Sequence, residues 1–165
     1  MKEEEIVVIE KPDYVSWDDI QKCVWEAHAI NRSQEIIMGN SKLSGEEIKN
    51  FIGDRGKMFV ALVEGKIVGT GAVIRKRASL WCGKEDEEYA YICFATVLPK
   101  YCGLGIYKKI ALLCETLALS WGVDKILGDT HERNHNMLVG VRKNGFRFVE
   151  YKVCKDHFNV VFVKW

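Results

Sequence analysis

A glycine-spaced turn between an apolar run and an amphipathic segment constrains this chain more than any other feature. Residues 91–97 read as a strand that runs into Pro99, and an amphipathic helix begins after Gly103 and Gly105. The first N–H groups of a helix have no intrahelical partner, and the helix dipole adds positive potential there. Glycine lets the backbone approach a ligand without an intervening Cβ. The pattern therefore predicts a cradle for a phosphate or a similar anion.

The charges around this turn agree with that interpretation. Lys100, Lys108 and Lys109 lie before or within the first helical turn, and residues 97–114 contain no acidic side chain. Lysine at a helix N-terminus opposes the dipole, so three lysines there favour a bound anion. A solvated helix face with arbitrary charges accounts for them equally well from charge alone.

Length and composition predict one domain, residues 1–165, with a core of its own. The formal net charge of +1 gives no indication of a nucleic-acid partner, and no apolar run reaches the roughly 18 residues of a membrane span. The acidic N-terminus does not resemble a signal peptide. The six cysteines include no CxxC pair. We therefore expect a cytoplasmic protein with reduced thiols and neither nucleic-acid nor membrane partners.

Hydrophobic periodicity and turn signals give the element order β-α-α-β-β-β-α-β-α-β-β. Ser16 reads as the N-cap of the first helix, and Ser44 with Glu47 reads as a capping box for the second. The turn at residues 64–66 separates two apolar runs and predicts a hairpin. We expect an α/β (α+β) domain with a mixed sheet of about seven strands and helices on both faces. The predicted strands are 6–9, 58–63, 67–74, 89–97, 125–128, 146–154 and 158–165, and the predicted helices are 17–30, 45–52, 106–121 and 135–144, with a loop over 31–43.

Two motifs within this order resemble those of the GNAT N-acyltransferases. Residues 97–106, VLPKYCGLGI, are similar to the family's acetyl-CoA signature V-x-P-x-Y-R-G-x-G-I. Residues 134–137, NHNM, continuing to RKNGF at 142–146, are similar to its N-x-x-S…E-K-x-G-F motif. The two motifs lie at the right separation, and the resemblance extends over nearly the whole chain. It implies a single GNAT domain.

The resemblance also implies an activity and a binding site. A GNAT enzyme of this kind transfers the acetyl group of acetyl-CoA directly to a primary amine in a ternary complex, without a metal. Backbone N–H groups of residues 102–107 would hold the pyrophosphate of coenzyme A, and the pantetheine arm would pair with the strand edge at Val97. The implied cofactor-binding residues are Val97, Leu98, Cys102, Gly103, Leu104, Gly105, Ile106, Tyr107 and Asn134. The acceptor would be a small-molecule or peptide amine, and GNAT domains often pair through their last strands, which indicates a homodimer.

Three residues depart from the family pattern. Cys102 replaces the usual Arg or Gln, and Tyr107 replaces a small residue. Val141 stands where many GNAT enzymes carry the tyrosine that protonates the leaving thiolate. The missing tyrosine leaves open a non-catalytic acyl-CoA-binding module as an alternative.

Neither motif identifies the general base. His131 is the first candidate, because the unperturbed pKa of imidazole lies near 6.5, and Glu132 is the second. Both are predicted just past a strand, where an exposed polar residue is the alternative interpretation. Tyr91 and Cys93 read as core residues, and His28 reads as a surface residue or as part of an acceptor groove. We expect residues 28–43, 75–88 and 152–158 to shape the acceptor site.

Residues 131–135, HERNH, spell the zinc-protease pattern HExxH. In that pattern both histidines bind zinc from one helical face, and the glutamate is the base. Here the flanking residues are polar, and neither Glu150 nor His157 stands at a persuasive spacing for a third ligand. A zinc hydrolase is therefore the least favoured of the three readings.

Overall fold

A computed structural model describes residues 5–78 and 87–164 of the chain. Its strands are β1 (Val7–Glu10), β2 (Gly56–Val63), β3 (Lys66–Ala78), β4 (Glu87–Val97), β5 (Ile126–His131), β6 (Arg147–Val153) and β7 (Phe158–Lys164). Its α-helices are α1 (Trp17–Ala27), α2 (Ala29–Ser33), α3 (Gly45–Ile52), α4 (Ile106–Ser120) and α5 (His135–Lys143).

The strands form one mixed sheet in the order β1-β2-β3-β4-β5-β7-β6. Strands β4 and β5 are parallel, and the other neighbouring pairs are antiparallel. The predicted mixed sheet of seven strands is therefore confirmed. Strand β6 forms one edge of the sheet, and β1 forms the other.

Helices cover both faces of the sheet, as predicted. Ile106 and Ile110 of α4 pack in one buried cluster with Val73 and Ile92 of the sheet. Alternate residues of the same strands enter a second cluster with α1 and α3, which contains Ile20, Ile48 and Ile74. Since successive side chains of a strand point to opposite faces, near-continuous apolar strands fill both layers. No helix among the described residues is long and apolar enough to cross a membrane.

Local sequence signals account for the helix starts and the tight hairpin. The Ser16 hydroxyl accepts the Asp19 N–H at 3.0 Å, and Ser44 accepts the N–H of Glu47 at 3.1 Å, so both predicted N-caps are confirmed. In each case the acidic side chain accepts the N–H of the capping serine in return, which completes a capping box. Strands β2 and β3 meet at residues 64–65, both with positive φ, which matches the twist of a hairpin.

The structure differs from the predicted boundaries at two places near the site. The first helix ends at Ala27, and the segment 31–43, predicted as a loop, contains the end of α2 and a 3₁₀ turn at Gly39–Lys42. These short turns carry too few apolar residues to show a helical period. Strand β5 extends to His131 instead of ending at Gly128, because β7 pairs with it along its whole length.

Strands β4 and β5 separate after a short paired stretch. Ala90 pairs with Ile126 and Tyr91 with Leu127, and within the described residues the two strands have no further pairing. On its other side β4 bulges, because its register with β3 jumps at Phe94, whose φ is 52°. The Thr70 hydroxyl donates to the Phe94 carbonyl oxygen at 2.7 Å and holds this bulge. A bulge bends its strand, and the bend opens a gap beside β5.

Candidate functional site

The turn before α4 carries a run of unpaired backbone donors. In the described part of the chain, the N–H groups of residues 103–108 have no protein acceptor, and the first N–H of α4 to be bonded is that of Lys109, to Gly105. The N–H of Cys102 lies outside this run, because it donates to the Pro99 carbonyl at 3.2 Å. Consecutive free amides at a helix N-terminus form a site for an anion.

The two glycines of this turn are required by backbone geometry. Gly103 has a φ of 84° and Gly105 a φ of 75°, in the left-handed region that favours glycine. A Cβ at either position would meet no atom within 4 Å, so the space beside the backbone is open. Leu104 lies between them and is 54% exposed. The turn therefore presents backbone, with little side-chain cover, to whatever lies over it.

The side chains around the turn agree with an anion site. Lys100, Lys108 and Lys109 are exposed and form no ion pair among the described residues. The Cys102 thiol is exposed and lies 3.7 Å from the Leu98 carbonyl oxygen. Ile106 points away from the turn into the core, where it is 1% exposed. Three cations thus surround free amides without a carboxylate to neutralise them.

The strand edge next to this turn offers the free amide of Val97. The N–H of Leu98 donates to the Val68 carbonyl at 2.8 Å and is therefore not available to a ligand. Since successive N–H groups of an extended strand point to opposite sides, that of Val97 points away from β3 and toward the gap beside β5. Val97 and not Leu98 thus has the geometry for pairing with a ligand.

A narrow pocket of about 50 Å³ fills the gap between β4 and β5. We call it the splay pocket. Tyr107 of α4 and Met137 of α5 line the end nearest the glycine turn, and the opposite end is closed by His28 and Asn40. The other lining residues are Met38, Tyr91, Ile92, Cys93, Phe94, Ala95, Asp129, Thr130, Asn134 and Phe162. The pocket therefore connects the side of the sheet that carries α4 with the side that carries α1.

Asn134 lies in this pocket with both polar atoms engaged. Its Nδ2 donates to Thr130 Oγ1 at 3.0 Å, and its Oδ1 accepts the N–H of Met137 at 3.5 Å as the N-cap of α5. The residue is 7% exposed. Its side chain therefore fixes the start of α5 against β5 and retains one acceptor lone pair for a ligand.

A carboxylate, that of Asp129, lines the splay pocket. Asp129 Oδ1 accepts the Tyr91 hydroxyl, and Oδ2 accepts the Nδ2–H of Asn159 at 2.6 Å. Burial, and then the charge of Asp129, raises the pKa of Tyr91, so the phenol stays a donor. A carboxylate has about four acceptor positions, and these two bonds leave room for another donor.

This network continues to the surface through β7. His157 Nε2 lies 3.1 Å from Asn159 Oδ1, and its Nδ1 lies 2.7 Å from Asp156 Oδ1. The Asn159 amide already donates to Asp129, so both ring nitrogens of His157 face acceptors. The hydrogen bond from His157 lowers the pKa of Asp156. Asn159 is thereby fixed in one orientation, and it fixes Asp129.

The two base candidates from the sequence lie beside the splay pocket, and neither lines it. His131 is the last residue of β5, is 6% exposed and stacks on His157 at 4.2 Å between ring centroids. Its Nδ1 accepts the N–H of Arg133 at 3.0 Å, and burial, followed by His157, lowers its pKa. The neutral ring therefore carries its proton on Nε2, as a donor. Glu132 is half-buried, and its N–H donates to the Phe158 carbonyl at 3.0 Å.

The HERNH segment does not form one helix. His131 ends β5, whereas His135 begins α5 after a turn. The two imidazoles therefore do not share a helical face, which the zinc-protease pattern requires. Within residues 5–78 and 87–164, no group of three His, Cys, Asp or Glu side chains is arranged to hold a metal.

The end of the splay pocket away from the glycine turn contains two buried polar groups. We call it the acceptor end, because it includes residues of the segment 28–43 that was expected to shape the acceptor site. His28, predicted as a surface or groove residue, is 6% exposed, and its Nδ1 accepts the Asn31 amide at 3.1 Å. Burial, and then Arg32, lowers the pKa of His28 to about 4. Asn40 Oδ1 is buried without a hydrogen-bond partner. Of the segment 75–88 expected to shape this end, residues 79–86, with Cys82, lie outside the described residues.

Asp129, Tyr91 and Asn159 are the functional candidates that the sequence interpretation missed. Tyr91 was expected in the core, and it is half-buried with its hydroxyl on Asp129. A signal for Asp129 existed: it is two residues before His131, and alternate residues of one strand share a face. Ending the predicted strand at Gly128 concealed that alternation.

Comparison with known proteins agrees with this geometry. The sequence model of the Acetyltransferase (GNAT) family matches residues 17–146. No curated protein sequence matches the chain. An acetyltransferase from Streptococcus agalactiae 2603 superposes with a TM-score of 0.73 at 18% identity, covering 96% of this chain and 97% of that one. A GNAT-family acetyltransferase from Staphylococcus aureus Mu50 gives 0.73 at 18%, with 97% and 98% covered.

A third solved structure is named as a regulator and not as an acetyltransferase. A transcriptional regulator from Bacillus halodurans C-125 superposes with a TM-score of 0.66 at 17% identity, covering 93% of this chain and all of that one (100%). At such identities the structural likeness shows the fold alone, whereas the sequence match spans most of the chain and includes the glycine turn and the start of α5. The chain therefore belongs to the GNAT acetyltransferase family.

Proposed function

We propose that this protein is a cytoplasmic N-acetyltransferase that moves the acetyl group of acetyl-CoA directly to a primary amine in a ternary complex. The observation that carries the proposal is the run of free N–H groups at residues 103–108, which opens beside the gap between β4 and β5. These amides, together with the three nearby lysines, suit the pyrophosphate of coenzyme A. The gap suits the extended pantetheine arm, with the N–H of Val97 at its edge.

Positioning is the main contribution of this site to the reaction. The amine nitrogen bonds to the thioester carbonyl carbon, the carbon–sulfur bond breaks, and the sulfur leaves as a thiolate. Holding both reactants in one pocket can supply on the order of 7–11 kcal/mol of the barrier. The N–H of Val97 is the donor placed to polarise the carbonyl oxygen.

For the proton of the amine, the geometry favours Asp129 over His131. Asp129 lines the splay pocket and has free acceptor positions, whereas His131 uses Nδ1 to accept a backbone N–H. Asp129 would orient the amine and accept its proton as nitrogen gains charge. Tyr107 lines the end of the same pocket nearest the glycine turn, the cofactor end, and would donate a proton to the leaving thiolate. Burial raises the pKa of Tyr107 and keeps it protonated.

Titration calorimetry with acetyl-CoA and with coenzyme A tests the cofactor site directly. We expect one site per chain for each nucleotide. An assay that follows release of the free thiol then tests transfer over a panel of amines. Absence of binding by both nucleotides would contradict the proposal at its foundation.

A non-catalytic acyl-CoA-binding module is the second candidate. The observation that favours it is Val141, which is fully buried in the core at the position where many GNAT enzymes have their acid. Tight binding of acetyl-CoA without thiol release over the whole amine panel would support this module and overturn the enzyme.

We also propose that the protein forms a homodimer through β6. All seven residues of this edge strand are exposed, and Tyr151 and Val153 are 69% and 78% exposed. An edge strand that exposes several apolar side chains beside its free backbone edge is an uncommon surface for a monomer. Sedimentation analysis of the wild type should give a dimer, and Val153→Glu should give a folded monomer. A monomeric wild type at about 100 μM would contradict this.

A further inference from the structure

Lys76, which lies over the Tyr91 ring of the splay pocket, is near enough to two further cations on separate elements to interact with them electrostatically. Lys76 lies on β3, Arg55 ends the 3₁₀ turn after α3, and Lys152 lies on β6 opposite Asn159. None of the three forms an ion pair within the part of the chain that the structure describes. Nothing in the acetyl-transfer chemistry requires cations beside this pocket.

Lys76 is the member that reaches the pocket wall. Its Nζ lies 4.3 Å from the centre of the Tyr91 ring and 5.5 Å from that of Phe51. The Tyr91 ring lines the splay pocket, and its hydroxyl is bonded to Asp129. One tyrosine ring therefore separates a fixed ammonium from a fixed carboxylate. Stacking on aromatic rings holds the lysine in place without neutralising its charge.

The environment of Lys76 is unfavourable to a lone cation. Burial lowers the pKa of Lys76, and the positive charges of Arg55 and Lys152 lower it further, against the opposing charge of Asp129. By contrast, Arg75, the preceding residue on β3, pairs with Glu88, and Lys57 pairs with Glu10. A bound anion would relieve the repulsion among the three cations.

The pocket side of the Tyr91 ring has the opposite character. Asp129 offers free acceptor positions, and Asn40 Oδ1 is buried in the pocket without a donor. A buried acceptor without a partner destabilises the empty site, and an ammonium or amine N–H would satisfy it. Asp129 and Asn40 inside the pocket can thus accept donor groups, and Lys76, against the Tyr91 ring that lines the pocket, can bind an anion.

We infer that the acceptor substrate is an amine that also carries an anionic group, a carboxylate or a phosphate, and that Lys76, assisted by Arg55 and Lys152, binds that group. This inference rests on the proposed acetyl transfer. It narrows the acceptor to small zwitterions and excludes polyamines and other purely cationic amines.

A matched acceptor panel tests the inference. The panel contains linear ω-amino acids from glycine to 6-aminohexanoate, α-amino acids, the carboxamide of each, the corresponding amines without the carboxyl group, and aminoalkyl phosphates. With saturating acetyl-CoA, kcat/KM should be at least about 10-fold higher for anionic acceptors than for their neutral partners. The preferred chain length reports the separation of Asp129 and Lys76, and the phosphate arm distinguishes the two kinds of anion.

Substitution of Lys76 supplies the second measurement. Lys76→Gln should raise KM for the best anionic acceptor by about 10-fold or more and leave its carboxamide within about 2-fold. Lys76→Arg should stay near the wild type, which shows that the charge matters and that the strand still folds. Lys57→Gln, an exposed lysine paired with Glu10, is the control for loss of a cation elsewhere.

The outcomes separate the inference from the proposed function. Equal or faster turnover of carboxamides or polyamines overturns the inference and leaves acetyl transfer standing. Unchanged KM in Lys76→Gln also overturns it. Binding of acetyl-CoA with no turnover anywhere in the panel overturns both the inference and the enzyme but not the cofactor site. Failure to bind acetyl-CoA contradicts the proposed function itself.

Discussion

The two ends of the splay pocket are built from different parts of the polypeptide. At the cofactor end, the free groups are consecutive backbone amides at residues 103–108, held by two glycines with positive φ. At the acceptor end, the polar groups are side chains from β3, β4, β5 and β7, among them Lys76, Asp129 and Asn159. The first end is contiguous in sequence, and the second is assembled by the sheet.

This difference has consequences for tolerance to substitution. A backbone amide is present whatever the side chain, so the cofactor end depends on φ and on space. The acceptor end depends on the identity of each side chain, because every hydrogen bond there uses a particular donor or acceptor. A GNAT chain can therefore change its acceptor by side-chain substitution without altering its cofactor turn. Four predictions test this contrast, from the largest expected effect to the smallest.

Gly103→Glu should abolish binding of acetyl-CoA, with a loss of affinity of about 100-fold or more. The new carboxylate would repel a diphosphate, and the side chain would strain a residue at φ 84°. Calorimetry measures the loss. Gly65→Glu, in the β2–β3 hairpin at φ 77°, adds the same charge and similar strain elsewhere and should bind normally. Wild-type affinity in Gly103→Glu would mean that the anion site lies elsewhere.

Asp129→Asn should lower kcat by roughly 10²–10³-fold, because the pocket loses its proton acceptor. The affinity for acetyl-CoA should stay unchanged, since the amides at 103–108 are untouched. Steady-state kinetics with the best acceptor measures the effect, and His131→Gln provides the comparison, with an expected loss below about 10-fold. If His131→Gln instead shows the larger loss, the base is His131, as the sequence alone suggested.

Protonation of His28, at the acceptor end, should lower the free energy of unfolding in mild acid. The pKa of His28 is about 4 in the folded protein against 6.5 for an ordinary histidine. Above pH 6.5 the ring is neutral in both the folded and the unfolded protein, so stability is at its full value. As pH falls from 6.5 toward 4, only the unfolded chain gains the proton, and the free energy of unfolding decreases. Between pH 7.5 and 5.0 the loss from His28 is roughly 2 kcal/mol.

Urea unfolding of the wild type and of His28→Gln at these two pH values measures that loss. The variant should lose less stability on acidification than the wild type does. His131, whose pKa is also lowered by burial, contributes in the same direction and remains in both proteins. His135→Gln, at an exposed histidine of α5, should behave as the wild type. An equal loss in His28→Gln would place the sensitivity at another group.

Cys102→Ser should change the affinity for acetyl-CoA by less than about 2-fold. The Cys102 thiol is exposed, and its own N–H is bonded to Pro99, so neither belongs to the run of free amides. Calorimetry under the conditions used for Gly103→Glu makes the two variants directly comparable. A loss of 10-fold or more would show that a side chain contributes to the cofactor end, and the contrast between the two ends would weaken.

The sequence by itself determined the seven strands, the four longer helices and the glycine turn before α4. The two serine caps, the hairpin at residues 64–65 and the glycines before α4 depend on interactions within a few residues, and such interactions are readable as local patterns. The family resemblance followed from the same local residues, since the backbone amides they expose are contiguous.

Only the tertiary structure decided the acceptor end. Asp129 meets Tyr91 because β5 follows β4 in the sheet, and it meets Asn159 because β7 pairs on the other side. The Nδ1 atom of His131 accepts the N–H of Arg133 and is not available as a base. This hydrogen bond depends on the turn that ends β5. Contacts between residues 30 or more positions apart leave no periodic signal, because they are fixed by strand order and register and not by local propensity.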